Sequence, residues 1–115
     1  MKEATPAASS LEQQYDQLRQ RLAHIGYISE GSVLDRSQLR PPRHGFQWTR
    51  KVARKTITVA LSPDQFHSLK QAVENERQLW TIIQQMERLS RQILFGTVPS
   101  PPRRKKLGKK VLGLV

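Results

Sequence analysis

The sequence predicts an α+β fold: a short N-terminal helix, a small antiparallel three-stranded sheet, a long C-terminal helix and a basic disordered tail. Three observations carry this reading. Leu11, Tyr15, Leu18, Leu22 and Ile25 recur at alternating steps of four and three. Residues 46–52 and 55–61 alternate apolar and polar with period two. Residues 62–95 then hold a helical pattern without a breaker. The expected organisation is a flexible tail over residues 1–9, an α-β-β-β-α domain over 10–96 and a Pro-rich polybasic tail over 97–115.

Residues 1–9 are small and polar. Ser9 with Glu12 and Ser10 with Gln13 have capping-box spacing, so a helix is expected to open at one of these serines and stop at Gly26. Its single stripe is two heptads long, too short to stand alone, so it needs a surface to lie against. Residues 27–34 look extended, with a bend or bulge at Gly31. Residues 35–45 contain Pro41, Pro42 and Gly45 and read as a loop. Ala53-Arg54 would join the two alternating runs as a hairpin, but these residues suit a tight type I′ turn poorly, so a longer or bulged turn is expected.

The alternation sorts the sheet into two faces. Phe46, Trp48, Val52, Ile57, Val59 and Leu61 form an expected core face. Gln47, Thr49, Lys51, Thr56 and Thr58 form a flat, hydroxyl-rich, basic face. Ser62-Pro63-Asp64-Gln65 is a strong helix start, with Ser at the N-cap, Pro at N1 and Gln at N3. The helix it opens would be on the order of 50 Å long. Part of it should pack on the sheet. The rest, including Leu79, Trp80, Ile83, Met86 and Ile93, is expected to meet the first helix or another chain and is a candidate partner-helix surface. Gly96 is its expected stop.

The net charge of +11 is concentrated. Residues 40–60 carry Arg40, Arg43, Arg50, Lys51, Arg54 and Lys55 with no acid. Residues 98–115 carry Arg103, Arg104, Lys105, Lys106, Lys109 and Lys110, again with no acid. The remainder is close to neutral. Charge so focused draws polyanions. The candidate nucleic-acid-binding residues are therefore Arg40, Arg43, His44, Thr49, Lys51, Arg54, Lys55, Thr56, Thr58 and the six cations of the tail. A two-stranded ribbon fits a duplex groove, where Lys and Arg meet phosphates and Thr adds hydrogen bonds. The bland alternative is an edge protected by lysine. Phe46 and Trp48 could stack on bases, but they share the expected core face. The apolar run from Val111 to Val115 could dock on a partner.

Other classes are disfavoured. Absent cysteine excludes disulfides and thiolate chemistry. His24, His44 and His67 have no metal-ligand spacing, and no nucleophile elbow or glycine-rich phosphate loop occurs. No enzyme activity, metal or cofactor is expected. No run approaches the roughly 20 apolar residues of a membrane span. A pI near 11 would also suit an anionic membrane surface.

The blocks Ile25-Gly26-Tyr27-Ile28-Ser29-x-Gly31-Ser32-Val33, His44-Gly45, Trp48-Thr49-Arg50-Lys51-Val52, Lys55-Thr56-x-Thr58 and Leu61-Ser62-Pro63 resemble a DUF6788-like family of short bacterial proteins of unknown function. The resemblance covers roughly residues 11–95. It implies a helix, three strands and a long helix, a bacterial cytoplasmic setting, and proximity to transposase and other mobile-element genes. It implies no established activity. Two departures stand out. Cysteines frequent in the family's loop before the aromatic strand are missing from residues 35–45, so no metal or redox role carries over. An Asn-Gly-like turn is replaced by Ala53-Arg54.

The expected function is a non-enzymatic nucleic-acid-binding accessory protein, DNA favoured over RNA, in a mobile-element or other nucleoprotein complex. The alternatives are a helix-mediated protein–protein adaptor or oligomerisation subunit, possible as a homodimer through the long helix, and an RNA-binding protein. Phosphate contacts look alike on DNA and RNA, so sequence leaves that choice open.

Overall fold

The computed structural model describes residues 8–115, so the expected N-terminal tail lies outside the described residues up to residue 7. The element order is α1 (Ala8–Ala23), β1 (Ser32–Asp35), a 3-10 turn (Arg36–Gln38), β2 (Phe46–Val52), β3 (Lys55–Leu61), α2 (Pro63–Thr97) and α3 (Lys109–Leu112). The strands form one antiparallel sheet in the order β1-β2-β3. The α+β class and the helix, sheet, long-helix layout are those the sequence predicts. α1 is already helical at Ala8, so Ser9 and Ser10 lie inside it and neither is its cap. Two compact units divide the chain: residues 25–79, and residues 8–24 with 80–115.

In the unit of residues 25–79, α2 starts on the expected capping box. Gln65 N–H donates to Ser62 Oγ at 3.1 Å, and Ser62 N–H donates to Gln65 Oε1 at 3.0 Å. This sets Phe66 on the sheet, its ring stacked on Phe46 at 4.3 Å. Phe66, Ala72 and Val73 are buried, the last two lying about two turns beyond the first on one face of α2.

Residues 27–30 are not a strand. Their polar groups go to α2 and the sheet: Ser29 N–H donates to Ala72 O, Tyr27 O accepts from Asn75 Nδ2, and Glu30 O accepts from Trp48 Nε1. Gly31 makes the expected bend with φ +96°. Only from Ser32 does the chain pair with β2, Ser32 opposite Thr49.

The hairpin turn corrects the sequence reading. Val52 pairs with Lys55, so the loop is two residues long. Ala53 and Arg54 take φ of +49° and +68°, the positive pair that a type I′ turn requires. Neither is glycine or asparagine, so the turn carries steric strain of about 1–2 kcal/mol per residue. The right-handed twist of the strands selects this turn despite its residues.

In the other unit, Leu11 and Leu18 of α1 and Ile82 and Leu89 of α2 are the buried apolar side chains. The α1 stripe thus finds the surface it needs on the second half of α2. α2 runs past Gly96 to Thr97, where Thr97 Oγ1 donates back to Ile93 O. The disordered tail expected after it is instead given local structure at its end. α3 closes at Gly113 (φ +72°) with Leu114 N–H on Lys109 O and Gly113 N–H on Lys110 O, a Schellman arrangement. Arg91 Nε and Gln92 Nε2 of α2 then donate to the carbonyls of Gly113 and Leu114. The apolar residues Leu112 and Leu114 are half-buried there, so the terminal run folds back onto its own chain. No described helix is long and apolar enough to cross a membrane.

Candidate nucleic-acid interface

The hairpin arm is exposed on both faces. Every residue from Lys51 to Ala60 is exposed, including Val52, Ile57 and Val59 at 39, 37 and 41%. These three were expected in a core. α2 covers the apolar face only at its Phe46–Leu61 end, and the strands reach past it.

Register fixes which candidates share a face. Thr49 lies opposite Thr58 and Lys51 opposite Thr56, so these four stand together on the polar face beside Gln47. Lys55 pairs with Val52 and belongs to the other face. Lys51, Arg54 and Lys55 nonetheless converge on the tip. No acidic side chain pairs with any of them among the described residues. Their charge is free to act outward.

Arg40, Arg43 and His44 are exposed but sit at the opposite end of β2, about 20 Å from the tip at ~3.4 Å per residue. Their loop is organised by Arg36, a residue the charge count passed over. Its backbone N–H donates to Gly45 O, and its carbonyl accepts from Leu39 and Arg43 N–H. Its side-chain Nε reaches Gln47 Oε1 at 3.2 Å. Arg36 therefore extends the row Gln47, Thr49, Lys51 toward the loop. It was missed because Asp35 beside it cancels its charge in any running sum.

Asp35 caps the 3-10 turn, its Oδ1 accepting from Ser37 N–H at 2.9 Å. The Ser37 backbone and then side-chain hydrogen bonds hold its carboxyl below the ordinary aspartate value, against a smaller opposing effect of burial. A lowered folded value means the cap stabilises the loop above the unfolded value and is lost as pH falls through the folded one. The protection of the Ser37 and Leu39 amides, relative to the unstructured exchange rate at each pH, is accordingly expected to fall at acid pH below the ordinary aspartate range, and to be independent of pH in Asp35→Asn.

Arg50 also departs from the simple picture. Alternation places it on the apolar face, between Trp48 and Val52 and opposite Ile57. Its guanidinium lies 5.4 Å from the Trp48 ring and 3.6 Å from Glu30, and its Nε is buried without a hydrogen bond. It ties residue 30 to the sheet, leaving the remaining cations of residues 40–60 for outward work.

The tail cations belong to the other unit. Arg103, Arg104, Lys105, Lys106, Lys109 and Lys110 are exposed. Arg104 lies over Phe95 and donates to Ser100. Of the candidate partner-helix residues, Trp80 is exposed, while Leu79, Ile83, Met86 and Ile93 are half-buried. No cluster able to hold a metal ion occurs among the described residues. No family model, curated protein or solved structure matches the chain.

Proposed function

We propose that the chain is a non-enzymatic nucleic-acid-binding protein that lays its β2–β3 arm against a duplex, with DNA favoured over RNA. The observation that carries this is the arm's tip. Lys51, Arg54 and Lys55 project there without acidic partners among the described residues, and Arg54 occupies a left-handed position that glycine would fill without strain. Strained backbone positions cluster at functional sites, and this one carries a cation at the tip. Two strands about 4.8 Å apart fit a major groove about 12 Å wide. The deep, narrow major groove of A-form RNA would not admit them. The Thr49–Thr58 and Lys51–Thr56 pairs supply hydroxyl and ammonium donors for phosphates on one side of the ribbon. The tail cations would add salt-sensitive, sequence-independent affinity. A place in a mobile-element or other nucleoprotein complex, in a bacterial cytoplasm, rests on the family resemblance.

Arg54→Gly separates the two roles of the tip. It is expected to raise stability by about 1 kcal/mol by relieving the turn. It should also weaken duplex binding and reduce the slope of log K against log salt by about one. Thermal unfolding and fluorescence anisotropy read the two effects. Equal affinity in this variant would remove Arg54 from the interface.

A further inference from the structure

We infer that the free edge of β3 pairs with the β3 edge of a second copy of this chain, antiparallel about a twofold axis at Thr58. The sheet order leaves β3 at an edge, seven residues long, with Lys55 through Ala60 exposed. The edge contains no proline or glycine, and Lys55 at its start is its one charged residue. Natural edges of this length are ordinarily shortened, bulged, charged or covered. This one shows little of that protection.

The hairpin sets which amides are free. A two-residue turn closes on a hydrogen-bonded pair, here Val52–Lys55, and such pairs recur at every second residue. Lys55, Ile57, Val59 and Leu61 therefore turn their backbone groups toward β2. Thr56, Thr58 and Ala60 turn theirs outward.

A symmetric antiparallel partner must use those outward groups, so its axis falls at a hydrogen-bonded pair of Thr56, Thr58 or Ala60, or at a non-hydrogen-bonded pair of Ile57 or Val59. An axis at Ile57 sets Leu61 against Ala53 of the strained turn, and one at Val59 sets Lys55 against Pro63. An axis at Thr56 sets the strained Arg54 turn against Thr58 of the second copy. An axis at Ala60 sets Pro63, the first residue of α2, against Ile57. The axis at Thr58 keeps all of β3 in register. Thr58 then meets Thr58, Ile57 meets Val59, Thr56 meets Ala60 and Lys55 meets Leu61. Apolar faces apolar on the side where Val52, Ile57 and Val59 are open, hydroxyls face hydroxyl or methyl on the other, and no like charges oppose. The two Lys55 residues lie about 20 Å apart at ~3.4 Å per residue. That exceeds the ~8–10 Å screening length at ordinary salt, so two strongly cationic chains can approach this way. The pairing does not depend on nucleic acid. If the proposed function holds, it joins two polar faces into one twofold surface.

Native cysteine is absent, which gives a clean test. Full-length Thr58→Cys is expected to form a covalent dimer on mild oxidation without nucleic acid, since directly opposed residues lie within disulfide reach. Thr49→Cys, on the central strand, should remain uncross-linked. Sedimentation of the cysteine-free chain should show a concentration-dependent monomer–dimer equilibrium. Thr58→Pro should shift it to monomer with an unchanged circular dichroism spectrum, because the amide it removes points away from β2. A wild-type chain that stays monomeric, a Thr49→Cys chain that cross-links as well as Thr58→Cys, or a dimer that survives Thr58→Pro would each overturn the inference. DNA binding retained by a strictly monomeric chain would leave the proposed function standing alone.

Discussion

Reversing Lys51 and Lys55 together is expected to lower affinity for duplex DNA by on the order of 10²–10³-fold while leaving the fold intact. Both side chains are exposed at the hairpin tip, without acidic partners among the described residues. Nothing in the fold therefore relies on their charge. A hydrogen bond to a charged group contributes about 1.5–3 kcal/mol, and two such contacts give the stated factor at the low end of that range. Each lost phosphate contact also removes about 0.9 from the salt slope. The double variant Lys51→Glu with Lys55→Glu should thus bind weakly and with a flatter dependence on salt. Because the two lysines occupy opposite faces of the ribbon, each single reversal should cost part of the affinity. A strand lying in a groove would use both faces, whereas a sheet lying flat on a backbone would use Lys51 alone. Unchanged affinity in the double variant would remove the hairpin as the site.

The largest structural effect is expected at Gly31. A Cβ built there would stand 2.5 Å from Thr49 O and 2.6 Å from Trp48 Nε1, at a φ of +96° that L residues rarely adopt. The first clash is with backbone in the central strand, which cannot step aside without breaking β1–β2 pairing. Gly31→Ala should destabilise by about 3 kcal/mol or more, combining strain of about 1–3 kcal/mol with loss of the Trp48 to Glu30 hydrogen bond. In a domain of this size that lowers the melting temperature by on the order of 15 °C. Near-ultraviolet circular dichroism of Trp48 should weaken at the same time. Gly96→Ala is the contrast: beyond its chain neighbours and its own helix backbone, no atom lies within 4 Å of an added Cβ, and it sits within α2. It should be neutral or stabilising by about 0.5–1 kcal/mol. Equal melting temperatures for the two variants would show that the Gly31 bend is not needed.

Local chemistry was legible where one residue's preference settles the outcome. Ser62 and Gln65 spell a capping box and make one, and period-two alternation gives both hairpin strands their limits. Three features were not legible, for physical reasons. The type I′ turn at Ala53-Arg54 is imposed by strand twist against residue preference. The extent of core depends on how far α2 shadows the sheet, which alternation cannot state. Val52, Ile57 and Val59 therefore look like Phe46 in sequence and differ from it in burial. The tail's end is fixed by Arg91 and Gln92, more than 20 residues upstream, reaching the carbonyls of Gly113 and Leu114, which composition treats as part of a charged extension. For the candidate interface, the charge count found the tip and the loop but not that β2 separates them. It also passed over Arg36, and it did not separate Arg50, which is engaged with Trp48 and Glu30, from the free cations.

The central claim is that the folded hairpin, rather than the charged tail, carries specific binding. Its most direct test is a salt series for the full-length chain and for a variant with Arg103, Lys105 and Lys106 changed to Gln. These exposed positions are neutralised without removing the segment that docks on α2. Matched duplex DNA, single-stranded DNA, structured RNA and heparin serve as ligands. The account predicts a steep salt slope on duplex DNA that persists in the variant, with duplex preferred over heparin. Binding that disappears with the three tail charges, or no preference for duplex over heparin, would contradict it.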